Sequence, residues 1–443
     1  MFARGFALAV FAAVTMPLAA QQAASLPTSV EQQLPGLTET YKHLHENPEL
    51  SRHEDKTAAY VADALRKLGY TVTEHVGKYE DGAQADGVVA VLENGKGPRL
   101  LLRTELDALP VQEKTGLDYA SAVTTTNDQG QGVGVMHACG HDLHMTVLLG
   151  VAREMAARRS QWHGTLMLIG QPAEEVVQGA KAMLADQLYE RFGRPDYVLS
   201  EHDSPAVPAG SIAIKGGPLL AATQSLVVTM RGIGAHGSAP QDGKDPIVLA
   251  AEFVVMAQTI VSREIDPQQP SVVTVGMIHG GTKSNIIPDA VTMGLSLRAY
   301  SQAVQDEVIA AVRRTASGIA EANGIPADRM PTVAMAESTP ATYNDPAMAE
   351  RLRKVAIGAL GNDRVEEAKA IMASEDVGLY TLNGKIPGMM YWLGAADPAK
   401  LAESRKAGVS LPGLHSALFA PDYAPAITTG VTAMTTMALD LLK

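Results

Sequence analysis

Cysteine is almost missing from this 443-residue chain, which carries one, Cys139. A single thiol cannot close an internal disulfide, so covalent cross-linking within the chain is excluded. Basic residues are also scarce: 36 Lys and Arg stand against 48 Asp and Glu, for a net charge of -12. That balance makes nucleic acid and anionic membranes poor partners. The body of the chain shows no solenoid-length repeat, no low-complexity tract and no run that reads as a membrane span. Ser225 and Ser238 have no histidine–carboxylate arrangement beside them in sequence, which argues against a serine hydrolase.

What is present is globular. Apolar residues make up 46% and charged residues 19%, enough for a sizeable core, and the length fits two domains. Arg4 precedes an apolar run from Gly5 to Met16, followed by Pro17-Leu18-Ala19-Ala20. This pattern is expected to be a secretory signal peptide over residues 1–20, cleaved after Ala20 and too short to span a membrane. Its loss removes only Arg4 among the charged residues and takes the net charge from -12 to -13. No cysteine follows the cleavage point to carry a lipid anchor. The expectation is an exported, periplasmic or secreted protein, where a lone thiol is better protected as a metal ligand than free.

The stretch His137-Ala138-Cys139-Gly140-His141-Asp142-Leu143-His144 gathers three imidazoles, a carboxylate and that thiol. In an extended segment, alternate side chains share a face, so Cys139 and His141 are expected to chelate one ion. Thiolate with imidazole favours zinc or manganese-family transition ions over magnesium or calcium. The apolar run Met145–Ala152 reads as a buried helix, which puts the cluster just before a helix N-terminus.

Helical periodicity covers residues 31–70, with a break at His45-Glu46-Asn47-Pro48-Glu49-Leu50-Ser51 forced by Pro48. Strands are expected at 88–92, 100–102, 164–170 and 197–200. Three of these run into polar residues: Arg103-Thr104-Glu105-Leu106-Asp107, then Gln171-Pro172-Ala173-Glu174-Glu175, then Glu201-His202-Asp203. Ligand-type residues just past strand ends are where open α/β sheets place their sites. Adjacent Glu174 and Glu175 invite divided roles. Residues 224–231, 246–262, 272–278, 289–298, 302–322 and 331–335 then read as strand, helix, strand, strand, helix, strand. That βαββαβ order fits an inserted ferredoxin-like domain. A helix at 348–360, a strand at 388–393 and a helix at 423–442 restore the α/β pattern. The expected division is 21–215 and 338–443 for one catalytic domain, with 216–337 inserted.

The ordered set of motifs resembles the dimetal aminoacylase/carboxypeptidase family, in its hippurate hydrolase and auxin-conjugate hydrolase subfamily. The pieces are His45-Glu46-Asn47-Pro48-Glu49-Leu50, Asp107-Ala108-Leu109-Pro110, His137–Asp142, Gln171–Glu175, Gly234-Ala235-His236-Gly237-Ser238-Ala239-Pro240, Asn285-Ile286-Ile287-Pro288-Asp289 and Ser374-Glu375-Asp376. The resemblance implies a zinc-peptidase-like α/β catalytic domain and an inserted lid and dimerisation domain. It implies Cys139, His141, Glu175, His202 and His415 as ligands of two divalent ions per chain (Mn, Zn, Ni or Co), with Cys139 bridging. It implies Glu174 as general base on an activated water and His236, from the lid or a partner subunit, steadying the oxyanion. Asn285 and Arg298 would grip a substrate carboxylate. The implied substrate is an N-acyl-amino acid or short peptide, and the implied assembly a homodimer.

Two places depart from the family pattern. Glu105 stands where the subfamily more often has Asp, so it is not assigned as a ligand, while Asp107 is expected to orient an imidazole. Acidic residues also flank His202. His137 and His144 are given no ligand role, and His43, His53, His75 and His163 are expected at the surface. The alternatives are a dipeptidase or carboxypeptidase, and a non-catalytic binder of metal or acyl-amino acid.

Overall fold

The structure, a computed structural model, describes residues 25–443. The expected signal peptide at 1–20 lies outside the described residues. The chain forms an α/β protein around an eight-stranded mixed sheet. From one edge the strands are Thr71–Lys78, Gln84–Asn94, Gly164–Gln171, Arg99–Glu105, Tyr197–Pro208, Gly388–Ala396, Ile212–Ile214 and Val365–Glu367. The four middle strands, from Gly164–Gln171 to Gly388–Ala396, are mutually parallel. Their sequences are near-continuous apolar runs because both faces are covered. On one face lie the helices Leu26–Glu46, Asp55–Lys67, His141–Ala157, Pro346–Leu360 and Tyr423–Leu441, sharing the largest core with Leu100, Leu102, Leu168 and Leu199. On the other, Leu101, Met167, Ile169 and Val198 pack with Met183 and Tyr380.

Helix ends follow local chemistry. Asp345, Asp397, Asp245 and Ser301 cap their helices through side-chain acceptors, and three of the four precede a proline at the first helical position. The expected break after His45 is present, between helices ending at Glu46 and starting at Asp55.

Residues from Ala222 to Thr339 form a second, four-stranded antiparallel sheet. In chain order it runs strand Ala222–Arg231, helix Pro246–Thr259, strands Ser271–Gly280 and Ala290–Ala299, helix Gln302–Ala322 and strand Thr332–Thr339. This unit has its own core, with Leu226, Phe253, Leu295 and Val312 buried together. The stretch Pro246–Glu264 is long and apolar enough to cross a membrane. Its inward residues Leu249, Ala250, Phe253 and Ala257 nonetheless belong to this core, while Ile247, Val248, Val255 and Met256 stay exposed.

One strand differs from its expected end. Tyr197–Pro208 continues straight through Glu201-His202-Asp203, so these residues lie inside the strand. Pairing with Gly388–Ala396 extends from Val198 to Ser204 and carries the backbone past the polar triplet. His144 on the neighbouring helix partners one oxygen of Asp203, while both Glu201 oxygens are buried without a hydrogen-bond partner among the described residues.

Candidate metal centre and active site

His141 opens the helix His141–Ala157, and Cys139 lies in the turn before it. The expected extended pairing of these two residues is therefore corrected. Gly140 between them has φ of 77°, a left-handed conformation glycine adopts without strain. A Cβ there would also collide with the Asp203 carboxylate. The fold-back at Gly140, not strand alternation, turns both side chains into one space.

Cys139, His141 and His202 each place a donor atom within 4.8 Å of one another. So do Cys139, Glu175 and His415, and so do His141, Glu174 and Glu175. The Cys139 Sγ is 3.6 Å from His202 Nε2, and Glu175 Oε2 is 3.5 Å from His415 Nε2. His141 Nε2 stands 3.9 Å from Glu174 Oε2 and 4.0 Å from Glu175 Oε1. Backbone carbonyls fix both buried imidazoles. His141 Nδ1 donates to Asp107 O at 2.8 Å and His202 Nδ1 to Asp203 O at 2.9 Å, leaving each Nε2 as a lone-pair donor. The Asp107 carboxylate accepts from Ser51 Oγ at 2.7 Å and from the Glu175 amide at 3.0 Å, tying two of the donor-bearing segments together.

The donor set fits a divalent metal. His141 Nε2 and Glu175 Oε1 are buried and have no hydrogen-bond partner among the described residues. Burial, reinforced by Glu375 and Glu175, pushes Glu174 well above the usual carboxylate range. Burial likewise raises Glu175, and burial with the Glu175 and Glu174 charges pushes the Cys139 thiol up. A site built this way is short of positive charge, which a divalent cation supplies. Thiolate and imidazole donors suit zinc or a neighbouring transition ion. Strained backbone gathers here too: Ala173, Val177 and His415 hold φ of 50°, 56° and 64°. His415 is anchored by its N–H on Ala138 O at 2.8 Å, with its ring more than half exposed.

The two departures noted in the sequence meet in space. His144 is clasped between Glu105 Oε2, 2.8 Å from Nδ1, and Asp203 Oδ1, 3.1 Å from Nε2. With both ring nitrogens engaged by these partners, His144 supports the residues around the donors. His137 is buried with neither ring nitrogen hydrogen-bonded among the described residues, and burial pulls it down to about 4. His43, His53, His75 and His163 are exposed, as expected.

Two buried clusters went unread in the sequence. Arg103 is fully buried and donates to Glu375 at 2.7 Å, Asp376 at 2.8 Å and Gln171 at 2.9 Å, and it also pairs with Glu105. Charged residues alternating at the end of an apolar strand were the available signal. His45 bonds Asp142 at 2.7 Å and Glu113 at 3.2 Å; against the downward pull of burial, these bonds raise it to about 10. That pins the first turn of the helix that starts at His141.

The remaining expected residues stand apart from the donors. His236 is exposed on a two-stranded ribbon, Ala235–His236 against Ile286–Ile287, with Nδ1 2.8 Å from Ser238 Oγ. Asn285 adjoins it, accepting the Gly237 N–H at 2.9 Å. Among the described residues neither touches the donor cluster of its own chain. Arg298 lies on the small sheet and donates to Ser374 Oγ at 2.7 Å, one position before Glu375.

A family profile, Peptidase family M20/M25/M40, matches residues 101–415. The hippurate hydrolase of Campylobacter jejuni is 38% identical over 350 residues, covering 78% of this chain and 85% of that one. An N-acetyldiaminopimelate deacetylase of Leuconostoc citreum is 35% identical over 357 residues, covering 80% and 87%. Among solved structures, a dinuclear metal-binding M20 peptidase from Bacillus subtilis superposes with a TM-score of 0.74 at 27% identity, covering 93% of this chain and 99% of that one.

Proposed function

The chain belongs to peptidase family M20/M25/M40, and from that membership we propose that it cleaves the amide bond of N-acyl-amino acids, of the hippurate type or related acyl conjugates. It is a metal-dependent hydrolase of the amidohydrolase and metallopeptidase type. The observation that carries the finer reading is that Cys139 belongs to two different three-donor groups. One thiolate shared between His141 with His202 and Glu175 with His415 suits two ions per chain, drawn from manganese, zinc, nickel or cobalt.

Ions held by these residues would supply an acidified water, with a pKa of about 7, and a Lewis acid for the amide carbonyl. Glu174 is the carboxylate left for proton work: it groups with His141 and Glu175 on the edge of the donor set, its Oε2 3.9 Å from His141 Nε2. It takes the proton of the attacking water and returns it to the leaving nitrogen. His236 steadies the oxyanion from a neighbouring subunit, and Asn285 and Arg298 hold the substrate carboxylate. The purified protein is expected to hydrolyse hippurate or N-acetyl-amino acids, to contain close to two ions per chain, and to lose activity to a chelator. Absence of bound ions, with no hydrolysis after adding any of the four metals, would remove this reading.

The small unit serves in this proposal as lid and dimerisation surface. Its support is an apolar helix face, Ile247, Val248, Val255 and Met256, together with the edge strand Ser271–Gly280 that exposes Met277 and Ile278. Exposed apolar patches beside an open strand edge are ordinarily covered by a partner. The proposal extends to export: a cleaved leader over residues 1–20 would send the working protein outside the cytoplasm. Protein recovered from the periplasm or medium should begin at Gln21 and sediment at twice the chain mass. A fully active sedimenting monomer would exclude His236 acting between subunits, and an intact Met1 on exported material would exclude cleavage.

A further inference from the structure

Glu54 stands just before the helix Asp55–Lys67, at the position whose side chain ordinarily caps the first helical amides. It caps none of them. Glu49 does that work from the preceding turn, its Oε2 accepting from the Thr57 N–H at 2.7 Å and the Thr57 hydroxyl at 2.8 Å. The Glu54 carboxylate reaches instead to Ala173, 119 residues away, whose N–H it accepts at 2.7 Å. The same oxygen takes the Arg52 N–H at 2.9 Å. Glu54 is fully buried, and among the described residues no cation pairs with it, since the Arg52 guanidinium is turned to Asp81. A carboxylate held out of water in this way is costly for the fold alone.

Its partner opens the turn that carries Glu174 and Glu175. Ala173 is fully buried, holds φ of 50°, and gives its carbonyl to the N–H groups of Gln178 and Gly179 at 3.1 and 3.0 Å. A left-handed alanine persists only where its surroundings over-determine it. The N–H of Glu175 goes to Asp107 Oδ2 at 3.0 Å, and that oxygen also takes the Ser51 hydroxyl at 2.7 Å. Glu174 is thus flanked by two backbone clamps, and both are footed in one short stretch, residues 51–54. We propose that Glu54 is a positioning residue for Glu174: its bond to the Ala173 N–H fixes the left-handed turn from which the Glu174 carboxylate meets the donor cluster. The inference rests on the general-base reading of Glu174 above and adds a residue that holds it. A bond that merely joined two segments would lower stability without singling out kcat.

The test compares hippurate turnover, metal content and amide hydrogen exchange for metal-loaded Glu54→Asp, Glu54→Ala and Glu54→Gln. Aspartate keeps the charge but falls one methylene short of the Ala173 N–H, whereas glutamine keeps an oxygen at the right reach. Glu54→Asp and Glu54→Ala should lose kcat by roughly 10²-fold, the effect of a displaced reacting group, with KM and ion content nearly intact. Glu54→Gln should recover most of that loss. Exchange should rise in the peptide 171–179 alone, and fall back in Glu54→Gln. The residual turnover of Glu174→Gln, followed with excess enzyme, should drop less than about threefold further on adding Glu54→Ala, because the group being held is already gone. Should Glu54→Ala fail to fold, Glu54→Asp and Glu54→Gln decide. An unchanged kcat in Glu54→Asp, or a full further loss in the Glu174→Gln background, overturns the positioning role and leaves the hydrolase reading standing. Exchange rising across the main sheet does the same. No turnover of hippurate or N-acetyl-amino acids by the unaltered enzyme, with ions bound, overturns both.

Discussion

Glu174→Gln should keep its ions and lose turnover by roughly 10²–10⁴-fold, the usual worth of a general base. Glu175→Gln should instead lose ions, and excess metal should partly restore it. The two side chains are neighbours in sequence but not in surroundings. Glu175 lies 3.5 Å from His415 and shares a donor group with Cys139, whereas Glu174 groups with His141 and Glu175, 3.9 Å from His141 Nε2. Replacing a ligand carboxylate by a neutral amide weakens coordination, and mass action can offset that loss. Replacing a proton acceptor leaves nothing for added metal to restore, so the loss falls on kcat with KM nearly intact. Metal content and kcat across a metal titration separate the cases. Identical behaviour, or rescue of Glu174→Gln, would reverse the division of roles.

Arg103→Met should be the most destabilising single change near the site, costing about 3–5 kcal/mol. Arg103 is fully buried and is shared among Glu105, Glu375 and Asp376. Burial pushes Glu375 up, but Arg103 outweighs it and holds that carboxyl below the usual range. Without the guanidinium, three buried carboxylates lose their common cation, and each must protonate or draw water inside. Arg103→Lys should recover only part of the loss, because a single ammonium cannot reproduce a fork that reaches Gln171 as well. The urea midpoint of each variant measures this. An unchanged midpoint for Arg103→Met would mean the cluster is not a source of stability.

Much of this was legible in the residues. The apolar runs at 100–102, 164–170 and 388–393 are strands, since segments buried on both faces are forced to be uniformly apolar. The helices after Asp345 and Ser301 announce themselves by their caps. The gathering of Cys139, His141, Glu175, His202 and His415 was legible only through the ordered motifs, because they come from four segments that sequence periodicity cannot bring together. Local reading failed where tertiary partners decide. Glu201-His202-Asp203 looks like a strand end yet lies inside one, with Asp203 Oδ1 held by His144. The helix Pro398–Ala407 was missed because its single buried residue, Leu401, leaves no apolar stripe to detect. Glu105 and Asp203 looked like unrelated oddities, and only the shared His144 shows them to be one unit.

The order in which the donors lie along the chain has a consequence for how the protein is made. Cys139 and His141 are synthesised early, Glu174, Glu175 and His202 next, and His415 only after the whole of the small sheet. His415 follows Cys139 by 276 positions. Because closure entropy grows only logarithmically, each doubling of such a detour costs just ~0.6 kcal/mol. Its weight falls on timing instead. A chain folding from its leading end holds a thiol and an imidazole together long before the last donor exists. On the proposed ligand set, full coordination would be among the last events of maturation, and a nascent chain stopped short of His415 would be an incomplete trap whose thiol is still open to oxidants.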